Sequence, residues 1–191
     1  MHNSLTTLPL ILTYSRILLA FTLILINQFI DDIINFKYLL IGFIFVLASL
    51  TDWLDGLLAR KLNLESRLGA MLDPISDKIL SVAAILILVS ENIAPVTPCA
   101  LIIFREIFIS GLREYLSSDK FQNLKVTFLA KLKTFSQFIA LTLLLIAKDI
   151  KEYLTINIIE IGIYALWLAT FLTVWTGCIY FYQSISYLSK E

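Results

Sequence analysis

Four aspartates occur in two closely spaced pairs, Asp52 with Asp55 and Asp73 with Asp77. On α-helices, which turn by about 100° per residue, the members of the pairs would lie about 60° and about 40° apart around the axis. Each pair therefore shares one helix face. Four neighbouring carboxylates stay ionised only if positive charge compensates them. Two Mg²⁺, Mn²⁺ or Ca²⁺ ions would supply that charge. Two alternatives stay open: neighbouring Arg and Lys side chains neutralise the aspartates, or the aspartates form a proton or ion path.

Other residue types that support metal or acid–base chemistry are scarce. The sequence has a single histidine, His2, and two cysteines, Cys99 and Cys178, that lie far apart. This spacing fits neither a zinc site nor an iron–sulfur cluster. Acid–base work must therefore fall to carboxylates, and paired metals held by carboxylates are a common device for phosphoryl transfer.

The composition indicates an integral membrane protein. Of the 191 residues, 59% are hydrophobic and 16% are charged, whereas soluble domains average roughly 45–50% and about 25%. The 15 basic and 15 acidic residues cancel, so the basic excess of a nucleic-acid-binding protein is missing and no nucleic-acid partner is expected. The length fits one domain, residues 1–191.

The elements that must position the aspartates are predicted to be helices. We expect an all-α, polytopic membrane protein, in which a short membrane-surface segment from Leu5 to Tyr14 precedes a bundle of six transmembrane helices. Their approximate ranges are 15–30, 38–59, 69–90, 97–116, 127–147 and 156–183.

Loop charges predict the orientation of this bundle. Lysines and arginines concentrate on the side that holds both termini and the second and fourth loops, which indicates that this side is cytoplasmic. Because consecutive spans alternate in direction, the aspartate pairs at the end of span two and the start of span three fall on the same side. Arg16, Arg113 and Lys131 fall there too, and Arg105 lies deeper. We therefore expect a polar cavity in the membrane that opens to the cytoplasm.

The segment from Asp52 to Asp77 resembles the motif D-x-x-D-G-x-x-A-R-x(8)-G-x-x-x-D-x-x-x-D of the CDP-alcohol phosphotransferases, and all eight fixed positions match. Two further segments, 104–114 and 131–134, resemble the fourth- and fifth-helix motifs of the phosphatidylglycerophosphate synthases within that family. Leu10 and Ala130 stand where the family often has Asn and Gly.

The resemblance implies the transfer of a phosphatidyl group from CDP-diacylglycerol to sn-glycerol 3-phosphate, giving phosphatidylglycerol phosphate and CMP. It further implies two Mg²⁺ or Mn²⁺ ions, with Asp52, Asp55 and Asp73 as main ligands and Asp77 near one ion. Asp77 would also act as the general base, although it could be a metal ligand only. A homodimer is implied as well.

The remaining site residues divide between the two substrates. By resemblance, the donor CDP-lipid would be lined by Asp55, Gly56, Ala59, Arg60 and Gly69. The acceptor phosphate requires cations, for which the candidates are Arg105, Arg113, Lys131 and Lys133. Glu106 and Glu114 would orient these cations. Arg60 could instead be a cytoplasmic surface residue, and Lys133 could extend to the membrane interface.

Two other functions remain open. A related enzyme could use the same donor with serine, inositol phosphate or phosphatidylglycerol as acceptor. A cation channel or transporter could use the aspartates as an ion path, in which case no CMP would be released.

Overall fold

The computed structural model describes residues 3–30, 36–62, 67–117, 128–151, 153 and 156–188. Side chains are described for 13–30, 36–51, 72, 75–114, 129, 131–151, 153 and 156–185. Over the described ranges the chain forms six α-helices and no strand. These are α1 (Asn3–Phe29), α2 (Lys37–Leu62), α3 (Arg67–Ser90), α4 (Val96–Ser117), α5 (Phe128–Ile150) and α6 (Ile158–Leu188).

The structure confirms the predicted all-α class and the six helices. Residues 5–14, which we expected to run into the first predicted span, are continuous with it in one helix, α1. Pro9 lies within this helix, where it supplies no backbone N–H donor.

The helix α3 ends in a Schellman motif. Asn92 adopts a positive φ of 56°, which asparagine tolerates better than most residues. The N–H of Ile93 donates to the carbonyl of Leu88 at 2.9 Å, and the N–H of Asn92 donates to that of Val89 at 3.1 Å. These two bonds satisfy carbonyls that the helix end would otherwise leave unpaired. The turn that they form places Glu91 at the end of the bundle.

The helices pack side by side around an apolar core. Helix α1 lies between α2 and α3, α5 lies between α2 and α6, and α4 packs mainly on α6. Fully buried alanines such as Ala20, Ala84 and Ala140 let neighbouring helices approach closely. Gly162 of α6 does the same, because a Cβ there would lie 2.6 Å from Cδ2 of the buried Leu144.

Among the described residues, one stretch, Ile158–Ile185 of α6, is long and apolar enough to cross a membrane. Thr13–Phe29 and Lys37–Thr51 are shorter apolar stretches.

A polar network closes one end of the bundle, which we call the Glu91 end. Glu91 accepts hydrogen bonds from Tyr38 at 2.6 Å, from Lys148 at 2.9 Å and from Asn27 at 3.2 Å. These partners come from the start of α2 and from the ends of α5 and α1. Their meeting point shows that α2 runs opposite to α1, α3 and α5.

Glu91 remains ionised down to an unusually low pH. Burial opposes its ionisation, but the hydrogen bonds from Tyr38, Lys148 and Asn27 outweigh this effect and lower the pKa of Glu91 from 4.5 to about 2. A carboxyl group with a depressed pKa stabilises the folded state above its ordinary pKa, and this contribution is lost as the pH falls toward the folded-state value.

We therefore expect Glu91→Gln to lower the thermal unfolding midpoint of the detergent-solubilised protein at neutral pH, by about 2–4 °C per kcal/mol lost in a chain of this size. The gap between wild type and variant should narrow as the pH falls from 4.5 toward about 2. Unfolding midpoints measured across this range provide the check. A gap that is independent of pH would show that the charge of Glu91 does not stabilise this end.

Candidate active site

Asp77 lies in the first half of α3, about 20 Å along the helix from Glu91, and is held by a cation of α1. Arg16 Nη1 donates to Asp77 Oδ1 at 3.1 Å and to Ser76 Oγ at 2.8 Å. The Arg16 side chain is only 2% exposed, whereas that of Asp77 is 50% exposed. The chain therefore fixes one carboxylate oxygen with a buried guanidinium while the carboxyl group still reaches accessible space. Arg16 compensates the charge of Asp77, as the arginine–lysine alternative for the aspartates supposes.

Glu106 on α4 joins two of the predicted acceptor cations. It accepts hydrogen bonds from Lys133 of α5 and, at 3.1 Å, from Arg105 Nη1. Lys133 is buried at 8% exposure, so it does not extend to a membrane interface. Glu106 therefore orients Arg105 and Lys133, and one carboxylate offsets two cations.

Arg113 is held in a different way. Its Nη2 donates to the hydroxyl of Tyr180 on α6 at 3.1 Å, and its Cζ lies 4.8 Å from the centroid of the same ring. Within the described part of the chain, no carboxylate pairs with Arg113. Among the described side chains, the partner of Arg113 is therefore a phenol and not an acid.

A fourth cation, Lys78, connects this region to Asp77. It follows Asp77 on α3 and donates to Ser110 Oγ of α4. Its charge interacts with those of Asp77, Glu106, Arg105 and Arg113.

We call the four basic residues in this region the cation cluster; they are Lys78, Arg105, Arg113 and Lys133. Within the cluster, Lys78 interacts with the charge of Asp77, and Glu106 is the described carboxylate that is hydrogen-bonded to Arg105 and Lys133. Lys131, the remaining predicted acceptor residue, is exposed on α5. Two residues from Lys133, it points about 200° away around the helix, so the structure does not bring it to the cluster.

The predicted donor and metal residues lie partly outside the described side chains. Helix α2 contains Asp52, Asp55, Gly56, Ala59 and Arg60, and α3 contains Gly69 and Asp73. Each aspartate pair is therefore helical, as predicted, but the contacts of these seven side chains lie outside the described residues. Over the side chains that are described, no group of three or more His, Cys, Asp or Glu residues forms a metal site.

The donor set itself fits a hard divalent cation, because all four predicted ligands offer carboxylate oxygens. Asp77, the one predicted ligand with a described side chain, is half exposed and thus accessible.

A family model supports the relationship that the motif suggests. The model for CDP-alcohol phosphatidyltransferase matches residues 6–175, which include the aspartate pairs, α4 and α5. The chain belongs to this family. Its members' shared motif accounts for the spacing of the acids, and the match extends into α6.

Named relatives align over most of the chain. A protein of Rickettsia bellii is 40% identical over 174 residues, covering 91% of this chain and 93% of the relative. A Bacillus subtilis protein is 39% identical over 79% of this chain and 76% of its own length. A Blochmanniella floridana protein is 44% identical over 76% of this chain and 75% of its own length. All three are named CDP-diacylglycerol–glycerol-3-phosphate 3-phosphatidyltransferase.

Sequence reasoning did not assign roles to several residues that the structure brings to this site. Arg16 lies 61 positions from Asp77, and Tyr180 lies 67 positions from Arg113, so no local spacing reveals either contact. One signal was available for Arg16, because a charge within the first predicted span requires a partner.

We expect Glu106→Gln to destabilise the protein by about 1.5–3 kcal/mol, the range for hydrogen bonds to charged groups, because Lys133 and Arg105 lose their shared carboxylate. A matched control is Glu160→Gln, which removes an exposed carboxylate from the first turn of α6 and should cost at most about 1 kcal/mol. Thermal unfolding in detergent compares the two variants. Equal shifts would contradict the pairing role of Glu106.

Proposed function

We propose that this chain transfers the phosphatidyl group of CDP-diacylglycerol to sn-glycerol 3-phosphate, giving phosphatidylglycerol phosphate and CMP. The observation that best supports the proposal is the cation cluster, which includes Lys78, the chain neighbour of the half-exposed Asp77. We assign Asp77 as the base and the cluster as the site for an anionic acceptor. The names of relatives that align over up to 91% of the chain support the same reaction.

The acceptor phosphate is the group that the cation cluster suits. A phosphate ester of glycerol carries a charge near −2 at neutral pH, and arginine forks bind phosphate oxygens in pairs. We assign acceptor-phosphate binding to Arg105, Arg113 and Lys133. Lys131 is left out of this assignment because it lies on the exposed side of α5, away from Lys133.

Asp77 serves as the general base. The acceptor hydroxyl oxygen forms a bond to the phosphorus that bears the diacylglycerol, the bond from that phosphorus to the CMP oxygen breaks, and CMP leaves with the electron pair. The hydroxyl proton passes to Asp77. Arg16 holds Asp77 Oδ1 and so fixes the orientation of the carboxylate during this step.

We assign two divalent cations, Mg²⁺ or Mn²⁺, to Asp52, Asp55 and Asp73, with Asp77 near one of them. When bound, such ions would hold the donor diphosphate and offset the charge that develops on CMP. The donor would contact Asp55, Gly56, Ala59, Arg60 and Gly69, whose small members allow its close approach.

The surface of the bundle supports a multi-pass membrane placement. Every helix exposes large apolar side chains, which is expected of surfaces that face lipid. Examples are Phe21 at 60%, Phe43 at 58%, Leu86 at 52%, Phe104 at 68%, Phe135 at 61% and Phe171 at 62% exposure. We propose that all six helices span the membrane as one domain of residues 1–191, with both termini and the Asp77 end on the cytoplasmic side. A homodimer is proposed from the family resemblance.

The proposal is tested by supplying purified protein with CDP-diacylglycerol, Mg²⁺ and a panel of acceptors, and by measuring CMP release. We expect release with sn-glycerol 3-phosphate and little release with serine, inositol phosphate, phosphatidylglycerol or no acceptor. Asp77→Asn is the negative control, with turnover reduced by about 10²–10⁴-fold, the usual contribution of a general base, in a variant that stays folded.

Two results would overturn the proposal. Release that occurs only with an uncharged alcohol would assign a different acceptor. The absence of release with every acceptor would favour an ion-conducting role for the aspartates.

A further inference from the structure

We propose that one face of α6, formed by Thr176, Gly177 and Tyr180, positions the arginines of α4 for the acceptor phosphate. This inference rests on the proposed function and adds α6 to the acceptor site. The three residues lie at positions i, i+1 and i+4, which places them within about 100° of one another around the helix. Each of them contacts Arg105 or Arg113.

Thr176 offers Arg105 an oriented acceptor. The Thr176 hydroxyl donates to the carbonyl of Leu172 at 2.8 Å, within its own helix. Its hydrogen is therefore committed, and a lone pair of Oγ1 accepts from Arg105 Nη2 at 3.1 Å. Together with Glu106, which accepts from Nη1, this contact fixes the plane of the guanidinium.

Gly177 allows the stem of Arg105 to lie directly against α6. A Cβ at position 177 would lie 2.9 Å from Arg105 Cγ and 3.1 Å from Nε. Any side chain there would push the arginine away from Thr176. Arg105 is thus held by the hydroxyl of Thr176, the carboxylate of Glu106 and the space that Gly177 leaves for its methylene groups.

Tyr180 holds Arg113 by two interactions, one through its hydroxyl and one through its ring. A phenol neutralises no charge, unlike a carboxylate partner. Arg113 is therefore oriented by a group that carries no charge. Since the charges of Lys78 and Lys133 both interact with Arg105 and with Arg113, the two arginines belong to one positively charged region, which would attract an acceptor phosphate.

A structural role predicts different behaviour from a positioning role. If these contacts only held α4 against α6, their loss would lower stability and alter both substrates' kinetics alike. If they position the arginines, their loss weakens use of the phosphate-bearing acceptor alone. The ratio of the two KM values therefore separates the two roles.

The test uses Tyr180→Phe, which removes the hydroxyl acceptor and keeps the ring. We expect the KM for sn-glycerol 3-phosphate to rise roughly 3- to 10-fold, the range of a single side-chain hydrogen bond. The KM for CDP-diacylglycerol and the unfolding midpoint should stay near wild type. Inhibition by inorganic phosphate, competitive with the acceptor, should weaken by a similar factor. The matched control is Tyr182→Phe, the same change on α6 at a side chain that is 75% exposed, which should alter none of these values.

A second pair of variants keeps the test valid if Tyr180→Phe folds poorly. Thr176→Val removes the oxygen that Arg105 contacts and should raise the KM for sn-glycerol 3-phosphate. Thr176→Ser retains this oxygen and should keep that KM near the wild-type value.

The same experiment distinguishes failure of this inference from failure of the proposed function. If the wild-type protein releases no CMP with sn-glycerol 3-phosphate, the proposed function is overturned. If the wild type is active, and the variants change both KM values equally or change only the unfolding midpoint, the positioning role alone is overturned.

Discussion

The arrangement of this site depends on one charge relation, in which Glu106 serves two buried or partly buried cations at once. An ionised group inside an apolar bundle is costly unless it is paired and hydrogen-bonded. Glu106 meets that requirement for Arg105 and Lys133 jointly, so that among the described side chains one carboxylate is shared by two cations. Arg113 is held by a phenol instead of an acid. An anionic substrate would supply further compensating charge.

The Glu91 network and the region around Asp77 differ in how their acidic groups are paired and exposed. At the Glu91 end, a single acid receives hydrogen bonds from Lys148, Tyr38 and Asn27, and its charge is balanced within the chain. Such a balanced network joins four chain segments and needs no ligand. Around Asp77, the acid is fixed by Arg16 but remains half exposed, and among the described side chains one carboxylate, Glu106, is bonded to members of the cation cluster.

Much of the fold could be predicted from the sequence, because each apolar stretch is bounded by charged or turn-forming residues. The two helices that carry the motif acids, α2 and α3, were predicted as well, and the spacing of the acids predicted that each pair shares one helix face. Contacts between distant segments, such as Arg16 with Asp77 or Arg113 with Tyr180, depend on how the helices pack. The apolar character of α6 concealed its polar contacts with α4, since isolated Thr and Tyr residues are common in such helices.

The central claim is that this chain builds a site for the phosphate of its acceptor. The most direct measurement compares the thermal unfolding midpoint of the detergent-solubilised protein with sn-glycerol 3-phosphate and with glycerol at equal millimolar concentration, without the lipid donor. A ligand that binds only the folded state raises the midpoint as its concentration exceeds the Kd. We predict a rise with sn-glycerol 3-phosphate and none with glycerol. An equal response to both compounds, or a response to glycerol alone, would contradict the account.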